Sequence, residues 1–176
     1  MAYLIVLLAV LARFAPHAPN FSPVFGALLF GGARLKGRDA IWFPMALLAL
    51  SDIVLTTQVY HLRLDWTEPA LLAAFASVAL IGRWLRERVS VRTVLAASLV
   101  GAVAFFLISN FGVWLGGGMY SPTWKGLLDC YAAGLPFFRN SLLSSVLFTG
   151  LFFGLYEFYL RKLALGRSGA SEAPNS

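Results

Sequence analysis

Long apolar runs alternate with short polar segments along the chain, and this pattern predicts membrane-spanning helices. Six runs carry almost no charge: residues 2–12, 21–33, 41–59, 69–85, 94–115 and 141–160. The hydrocarbon core of a bilayer requires about 20 helical residues, with a range of roughly 17–25. The last four runs meet or nearly meet this length. The first two are short, so we expect them to use flanking residues, to tilt or to stop partway.

The composition supports a membrane protein. Hydrophobic residues make up 59% of the 176 residues and charged residues only 12%, whereas soluble domains contain about 25% charged residues. A soluble domain of this size has too much surface for its volume to bury so many apolar side chains. We therefore predict an all-α membrane protein. The same composition excludes a disordered protein, a disulfide scaffold and a nucleic-acid-binding module.

The basic residues predict the orientation of the six helices. The net charge is +6, and in membrane proteins excess Lys and Arg mark cytoplasmic loops. Ten of the 14 basic residues follow the second, fourth and sixth runs: Arg34, Lys36, Arg38, Arg83, Arg86, Arg88, Arg92, Arg161, Lys162 and Arg167. The other connections hold Arg13, Arg63, Lys125 and Arg139. We therefore predict a six-transmembrane-helix bundle with N-in/C-in topology.

The domain organisation follows from the same runs. We predict one transmembrane domain, residues 1–166, followed by a disordered cytoplasmic tail at 167–176, where the residues are small and polar. We expect the first run to remain as a helix and not to be cleaved as a signal peptide. No Lys or Arg precedes Arg13, and the prolines at 16 and 19 make a poor cleavage site.

Two connections on the predicted outward side are chemically richer than the cytoplasmic turns. The first, residues 13–23, contains three prolines within eight residues, which prevent a continuous helix. The other, residues 116–140, begins with three glycines and is long enough to act as a lid or binding loop. Within it we expect a short surface helix at 122–133, with Ser121 or Thr123 near its N-cap.

Aromatic side chains are concentrated on this same side. They are Phe14, Phe21, Tyr60, Trp66, Trp114, Tyr120, Trp124, Tyr131, Phe137 and Phe138. One interpretation is an aromatic belt at the membrane interface. The functional alternative is an aromatic-lined pocket for a ring-containing ligand, with a few polar groups that orient it.

Polar residues within the predicted spans are candidates for either structural or binding roles. Ionisable residues at membrane depth usually face the protein interior and have a partner. We therefore expect Asp52 to face the bundle, where it either pairs with an arginine or helix backbone, or contacts a ligand or cation. Asn110 has two similar interpretations, hydrogen bonding between helices or ligand contact. Glu157 precedes Arg161 by four residues, a favourable spacing for an ion pair.

The order of these features resembles the S components, the substrate-binding subunits of energy-coupling factor (ECF) vitamin transporters. In particular it is similar to an uncharacterised bacterial family of S-component-like membrane proteins. The resemblance covers roughly residues 13–157, and the segments 21–33, 50–53, 110–114 and 136–140 carry it. It implies an S-component-like fold, a micronutrient site near the outer face and a multi-pass location in the bacterial inner membrane. It also implies an ECF-type energising module, made of a transmembrane coupling subunit and ATPases, as a partner.

The first helix departs from the S-component pattern. S components commonly carry an Ala-x-x-x-Ala patch there, through which the coupling subunit docks. Here the corresponding alanines, Ala9 and Ala12, are only three residues apart. Two alternatives are therefore open: a solitary transporter, and an S component that uses an energising module.

The predicted ligand site lies between the outward connections and the outer end of the fifth helix. We expect these residues to contact the ligand: Arg13, His17, Asn20, Asp52, Asn110, Trp114, Tyr120, Trp124, Tyr131, Arg139 and Asn140. The predicted function is uptake of a small, vitamin-like organic molecule. The alternatives are a membrane scaffold or assembly protein without a ligand, and a membrane-embedded enzyme that uses Asp52 or a histidine.

No catalytic residue, metal site or cofactor is predicted. His17 and His61 lack the spacing of metal ligands. The single cysteine, Cys130, excludes an internal disulfide and a Cys-rich metal site, and we interpret it as a small apolar core residue. Neither a Gly-x-Ser-x-Gly motif nor a Walker sequence occurs. We therefore expect a non-enzyme whose partners are the lipid bilayer and a small molecule.

Overall fold

The computed structural model describes residues 1–16, 18–61 and 67–171, with side chains described as far as residue 165. Within these ranges the chain forms helices and no strand. The helices are α1 (Ala2–Leu11), α2 (Val24–Arg34), α3 (Asp39–Val54), α4 (Thr67–Leu85), α5 (Val91–Leu115) and α6 (Trp124–Ser171). A 3₁₀ turn, Ala12–Phe14, extends α1, and a π-helical turn, Leu55–Val59, extends α3.

The helices run alternately up and down the bundle. The Tyr3 hydroxyl, at the start of α1, donates to Asp39 at the start of α3, with 2.6 Å between the oxygens. Arg13, just past α1, reaches Asp52 near the end of α3. We call the end of the bundle that holds Arg13 and Asp52 the Arg13 end, and the opposite end, which holds Arg34, the Arg34 end.

Four of the described helical segments are long and apolar enough to cross a membrane. They are Asp39–Val59, Thr67–Leu85, Val91–Leu115 and Trp124–Leu165. The helices α1 and α2 are apolar but shorter, as the short first and second runs predicted. The prediction of an all-α bundle is therefore confirmed for the described residues, and four of its helices are suited by length and composition to cross a membrane.

The short helix α2 forms the centre of the bundle. Every residue from Val24 to Ala33 is buried, and α2 contacts each of the other helices. Glycines allow its backbone to approach its neighbours closely. A Cβ at Gly26 would lie 2.8 Å from the Phe148 carbonyl carbon of α6, and one at Gly82 of α4 would lie 2.5 Å from the Leu29 carbonyl oxygen. These backbone contacts fix α2 between α4 and α6.

The separate surface helix predicted at 122–133 is wrong. The helix begins at Trp124, after Thr123 accepts a hydrogen bond from the Gly126 amide at 3.1 Å, and it continues without a break past Pro136. Proline removes one backbone donor and its ring crowds the carbonyl four residues earlier, so packing must offset this cost. Contacts with α5 on this stretch, such as the hydrogen bond from the Tyr131 hydroxyl to the Leu107 carbonyl at 2.9 Å, favour one continuous helix. The predicted N-cap is confirmed at Thr123.

The C-terminal tail predicted at 167–176 overlaps the end of this helix. The backbone of α6 is helical as far as Ser171. The remaining part of the predicted tail, residues 172–176, lies outside the described residues.

The turns that carry most of the basic residues meet at the Arg34 end. Arg34 pairs with Glu157 of α6, and Arg83 donates to the Gly37 carbonyl at 3.0 Å. Arg86 donates to the carbonyl of Leu35, in the turn after α2. The basic clusters associated with the second, fourth and sixth apolar runs thus lie at one end of the bundle. Glu157 pairs with Arg34 across helices, in place of the intrahelical partner expected from its spacing.

We predict that Gly82→Ala destabilises the protein and that Gly101→Ala does not. The new methyl group at 82 would force α2 and α4 apart, at a cost on the order of 1–3 kcal/mol. At Gly101 a Cβ would lie 3.5 Å from the Val78 side chain, an ordinary contact, and alanine stabilises a helix by about 0.5–1 kcal/mol relative to glycine. Thermal unfolding in detergent measures both. Equal melting temperatures for the two variants would contradict the close α2–α4 packing.

Candidate ligand-binding site

A cavity of about 400 Å³ opens at the Arg13 end, between α2, α3, α4, α5 and the segments that flank α1 and α2. Pockets for small organic ligands have volumes of roughly 300–1,000 Å³, so this cavity has a suitable size. Its lining residues are Arg13, Pro19, Asn20, Ser22, Val24, Phe25, Asp52, Leu55, Thr56, Tyr60, Phe75 and Phe105.

An ion pair between Arg13 and Asp52 forms the polar side of the cavity. The Arg13 Nη2 atom donates to Asp52 Oδ1 at 2.8 Å, and Nη1 donates to Ser51 Oγ at 2.7 Å. The Ser51 hydroxyl in turn donates to the Leu48 carbonyl at 2.9 Å. The side chains of Arg13 and Asp52 are 13% and 11% exposed. Asp52 therefore faces the bundle, as predicted, and its partner is an arginine.

Two local departures from the α-helix place residues at this cavity. The 3₁₀ turn after α1 carries Arg13, and the π-helical turn after α3 carries Leu55 and Thr56. π-Helical turns are rare and occur frequently at functional sites. Here the turn begins three residues after Asp52 and extends the same wall of the cavity.

A tight turn in the proline-rich connection forms part of the cavity rim. The Phe21 amide donates to the Ala18 carbonyl at 3.0 Å, across Pro19 and Asn20. The φ angle of Asn20 is 58°, which a type II turn requires at this position and which asparagine tolerates. The turn is attached to α6, because the Asn140 side chain donates to the Pro19 carbonyl at 2.9 Å.

Three phenylalanines from different helices form the apolar side of the cavity. The ring of Phe105 on α5 lies edge-on to Phe25 of α2, with 4.9 Å between centroids, and 5.1 Å from the ring of Phe75 on α4. Aromatic pairs in such geometries are stabilising beyond simple burial. The cavity thus presents a rigid aromatic wall opposite an ion pair, an arrangement that suits a flat apolar group carrying a polar or charged substituent.

A second, smaller cavity adjoins the first. Its volume is about 220 Å³, it lies mainly between α5 and α6, and it shares Asn20 and Phe105 with the first cavity. Asn110 lines it, but the Asn110 side chain also donates to the Phe106 carbonyl at 2.8 Å. The backbone carbonyl of Asn110 accepts a hydrogen bond from Cys130 Sγ of α6 at 3.3 Å. Asn110 therefore joins α5 to α6 at the wall of a cavity, and both interpretations of this residue stay open.

The structure brings together four of the predicted ligand-contacting residues. Arg13, Asn20 and Asp52 line the first cavity, and Asn20 and Asn110 line the second. Asn140 supports the rim and does not line either cavity.

The remaining predicted contacts are not found at either cavity. His17 is outside the described residues. Five residues of the described chain line neither cavity: Trp114, Tyr120, Trp124, Tyr131 and Arg139. Trp114 donates to the Ser121 carbonyl at 3.0 Å, and Trp124 is 82% exposed. Trp124 has the exposure of an interfacial aromatic residue.

Sequence reasoning missed much of the cavity lining. Thr56 follows Asp52 by four residues, so helical periodicity placed it on the same face and was a usable signal. Phe25, Phe75 and Phe105 carried no such signal, because each lies in an apolar run among many similar residues. Among the described residues, no three His, Cys, Asp or Glu side chains are grouped so that they would hold a metal ion.

Comparison with known families finds a match over most of the chain. The model of a family described as "Family of unknown function (DUF6580)" matches residues 1–168. No curated protein and no solved structure matches the chain significantly.

We predict that Arg13 and Asp52 are energetically coupled. Arg13→Met or Asp52→Leu alone leaves a buried charge without its partner and should lower the free energy of unfolding by about 3–5 kcal/mol. The double variant should recover most of this loss, because apolar side chains of similar volume replace a buried ion pair at little cost. A double-mutant cycle of unfolding in detergent measures the coupling. Losses that simply add in the double variant would contradict it.

Proposed function

The chain belongs to the DUF6580 family, and we propose that it binds a small, vitamin-like organic molecule at the Arg13 end and carries it across the membrane. The observation that carries this proposal is the cavity between the Arg13–Asp52 pair and the aromatic wall. The site suits recognition of a small molecule, since mainly apolar walls supply affinity and a few fixed polar groups supply orientation.

The ion pair gives the cavity chemical selectivity. The Arg13 guanidinium is a planar set of donors that matches carboxylate or phosphate oxygens. The Asp52 carboxylate, at 2.8 Å from it, offers acceptors to a donor group of the ligand. A ligand with a flat ring would lie against Phe105 and place its polar substituent near these two side chains.

The proposed topology has six membrane-embedded helices with both ends of the chain in the cytoplasm. The clustering of basic residues at the Arg34 end supports it, because Lys and Arg are enriched in cytoplasmic loops. In this orientation the Arg13 end and its cavity face outward. A cavity there would collect its ligand from outside the cell, in keeping with uptake across a bacterial inner membrane.

The exposure of the two alanines of the first helix indicates whether an energising module could dock there. Ala9 is only 4% exposed and contacts the core, while Ala12 lies on an exposed part of the chain. The two alanines therefore do not form one exposed patch of small residues. This favours a solitary, S-component-like carrier over a subunit that docks to an energising module through α1.

We predict that the Arg34 end faces the cytoplasm, and cysteine labelling tests this in a Cys130→Ser background. Val91 at the Arg34 end is 86% exposed and Met119 beyond α5 is 74% exposed. Neither residue is charged, so a cysteine at either position leaves the charge distribution intact. A membrane-impermeant maleimide added to intact spheroplasts should label Met119→Cys and not Val91→Cys. The reverse pattern would contradict the topology.

We predict that a small molecule co-purifies with the protein and that filling the cavity expels it. Thr56 lines the cavity, whereas the neighbouring Thr57 does not and donates to the Ile53 carbonyl at 2.7 Å. Thr56→Trp should therefore abolish binding, and Thr57→Trp should retain it. Mass spectrometry of small molecules released from detergent-purified wild type and both variants gives the comparison.

The same experiment separates small-molecule binding from a scaffold role without a ligand. A compound enriched in wild type and Thr57→Trp, and lost from a folded Thr56→Trp variant, supports the proposal. Identical small-molecule profiles for all three proteins would instead favour the scaffold.

A further inference from the structure

A large cleft, separate from the two cavities described above, lies at the Arg34 end. It has a volume of about 970 Å³ and lies between α5 and α6. Along α6 it is lined from Val146 to Arg161, which corresponds to about 22 Å of helix axis. One leaflet of a bilayer core is about 15 Å thick, so the cleft is long enough to follow a lipid chain through a leaflet.

Glycines make the apolar part of the cleft a groove. Gly150 and Gly154 both line it, and a Cβ placed at either would meet no atom within 4 Å. The walls beside them are apolar and include Leu95 of α5 and Phe153 of α6. In a membrane, an open apolar groove along the side of two helices is accessible to acyl chains.

Charged residues gather where this groove reaches the Arg34 end. Three arginines line the mouth: Arg34, Arg86 and Arg161. Two acidic residues, Glu87 and Glu157, also line it. Arg34 pairs with Glu157, so Arg34 is already neutralised within the protein.

The remaining two arginines differ in how they are held. Arg86 donates a hydrogen bond to the Leu35 carbonyl. This partner is neutral, so it does not compensate the positive charge of Arg86. Arg161 lies exposed on α6. A guanidinium held by a neutral carbonyl and an exposed one near it form a mouth suited to an anion.

We propose that this cleft is a binding site for an anionic phospholipid. The lipid phosphate lies at the mouth, where Arg86 and Arg161 donate to its oxygens, and one acyl chain lies along the groove past Gly154 and Gly150. Guanidinium groups match phosphate oxygens well, and basic pockets between membrane helices bind anionic lipid headgroups. The inference stands independently of the proposed transport function.

Charge favours a lipid over a second copy of this chain in the groove. Two glycines four residues apart are also found where membrane helices associate. A second copy would, however, bring a further set of arginines to the mouth. The mouth has three arginines against two glutamates. A phospholipid supplies one negative charge that offsets this excess, and the apolar chain that the groove accommodates.

Native mass spectrometry of the detergent-purified full chain tests the proposal with phosphatidylglycerol as the probe. Arg161→Gln should weaken phosphatidylglycerol binding about tenfold, the effect of losing one charged hydrogen bond. The matched control is Arg88→Gln, which removes the same charge at the same end of the bundle from a residue whose guanidinium lies over the Trp84 ring, where neither residue lines the cleft. This control should bind phosphatidylglycerol as the wild type does.

Filling the groove tests the acyl-chain position. Gly154→Leu should fold normally, because its side chain enters open space, and should lose most phosphatidylglycerol binding. Gly150→Leu provides the same test at the next turn if the first variant is unstable, and thermal unfolding without added lipid verifies the fold of both.

Four results would overturn the proposal. These are equal binding of zwitterionic phosphatidylethanolamine, thermal stabilisation by inorganic phosphate alone equal to that by phosphatidylglycerol, unchanged binding in both folded glycine variants, and equal loss in Arg161→Gln and Arg88→Gln. A wild-type dimer that Gly154→Leu converts to a monomer, with no change in lipid binding, would assign the groove to a second copy.

Discussion

The backbone contacts of α2 with α4 and α6 determine the rest of the architecture. A helix of 11 residues is about 17 Å long and cannot span a bilayer core of about 30 Å. It is stable at this depth because other helices surround it on all sides, and the glycines at 26, 32 and 82 allow the close approach. Both ends of α2 reach an open space in the bundle. Phe25 at its start contributes to the cavity at the Arg13 end, and Arg34 at its end lines the cleft at the other.

The arginines at the two ends of the bundle have different kinds of partner. At the Arg13 end, one ion pair is almost fully removed from water and is supported by a hydrogen bond from Arg13 to Ser51. At the Arg34 end, Arg83 and Arg86 donate to neutral carbonyl groups of the turn after α2 and keep part of their charge available. The first arrangement favours a selective site for a small molecule. The second favours a surface that attracts anions.

The sequence predicted the helices well because each apolar run carries its own signal, independent of the rest of the chain. It also predicted that Asp52 faces inward, since the cost of a carboxylate in hydrocarbon is a local property. It did not identify Arg13 as the partner, because the two residues are 39 positions apart and the chain offers several arginines. The continuity of α6 was missed for a similar reason, since contacts with α5, and not local propensity, carry that helix past Pro136. The aromatic wall and the π-helical turn depend on packing among three helices, which no local pattern reports.

The Arg13–Asp52 pair has a consequence for the order in which the chain is assembled in the membrane. During synthesis α1, with Arg13 at its end, emerges before α3 makes the Asp52 carboxylate available. The next helix, α2, is too short to hold a stable position in lipid by itself, and α3 carries Asp52 within an apolar stretch, where a lone carboxylate is costly. Arg13 lacks a negatively charged partner, α2 lacks the length to span the bilayer core, and Asp52 lacks a positively charged partner. Each of these is supplied by another of the three segments. In the proposed membrane topology, these three segments therefore insert as one cooperative unit, and α3 completes the insertion of α1 by neutralising its arginine.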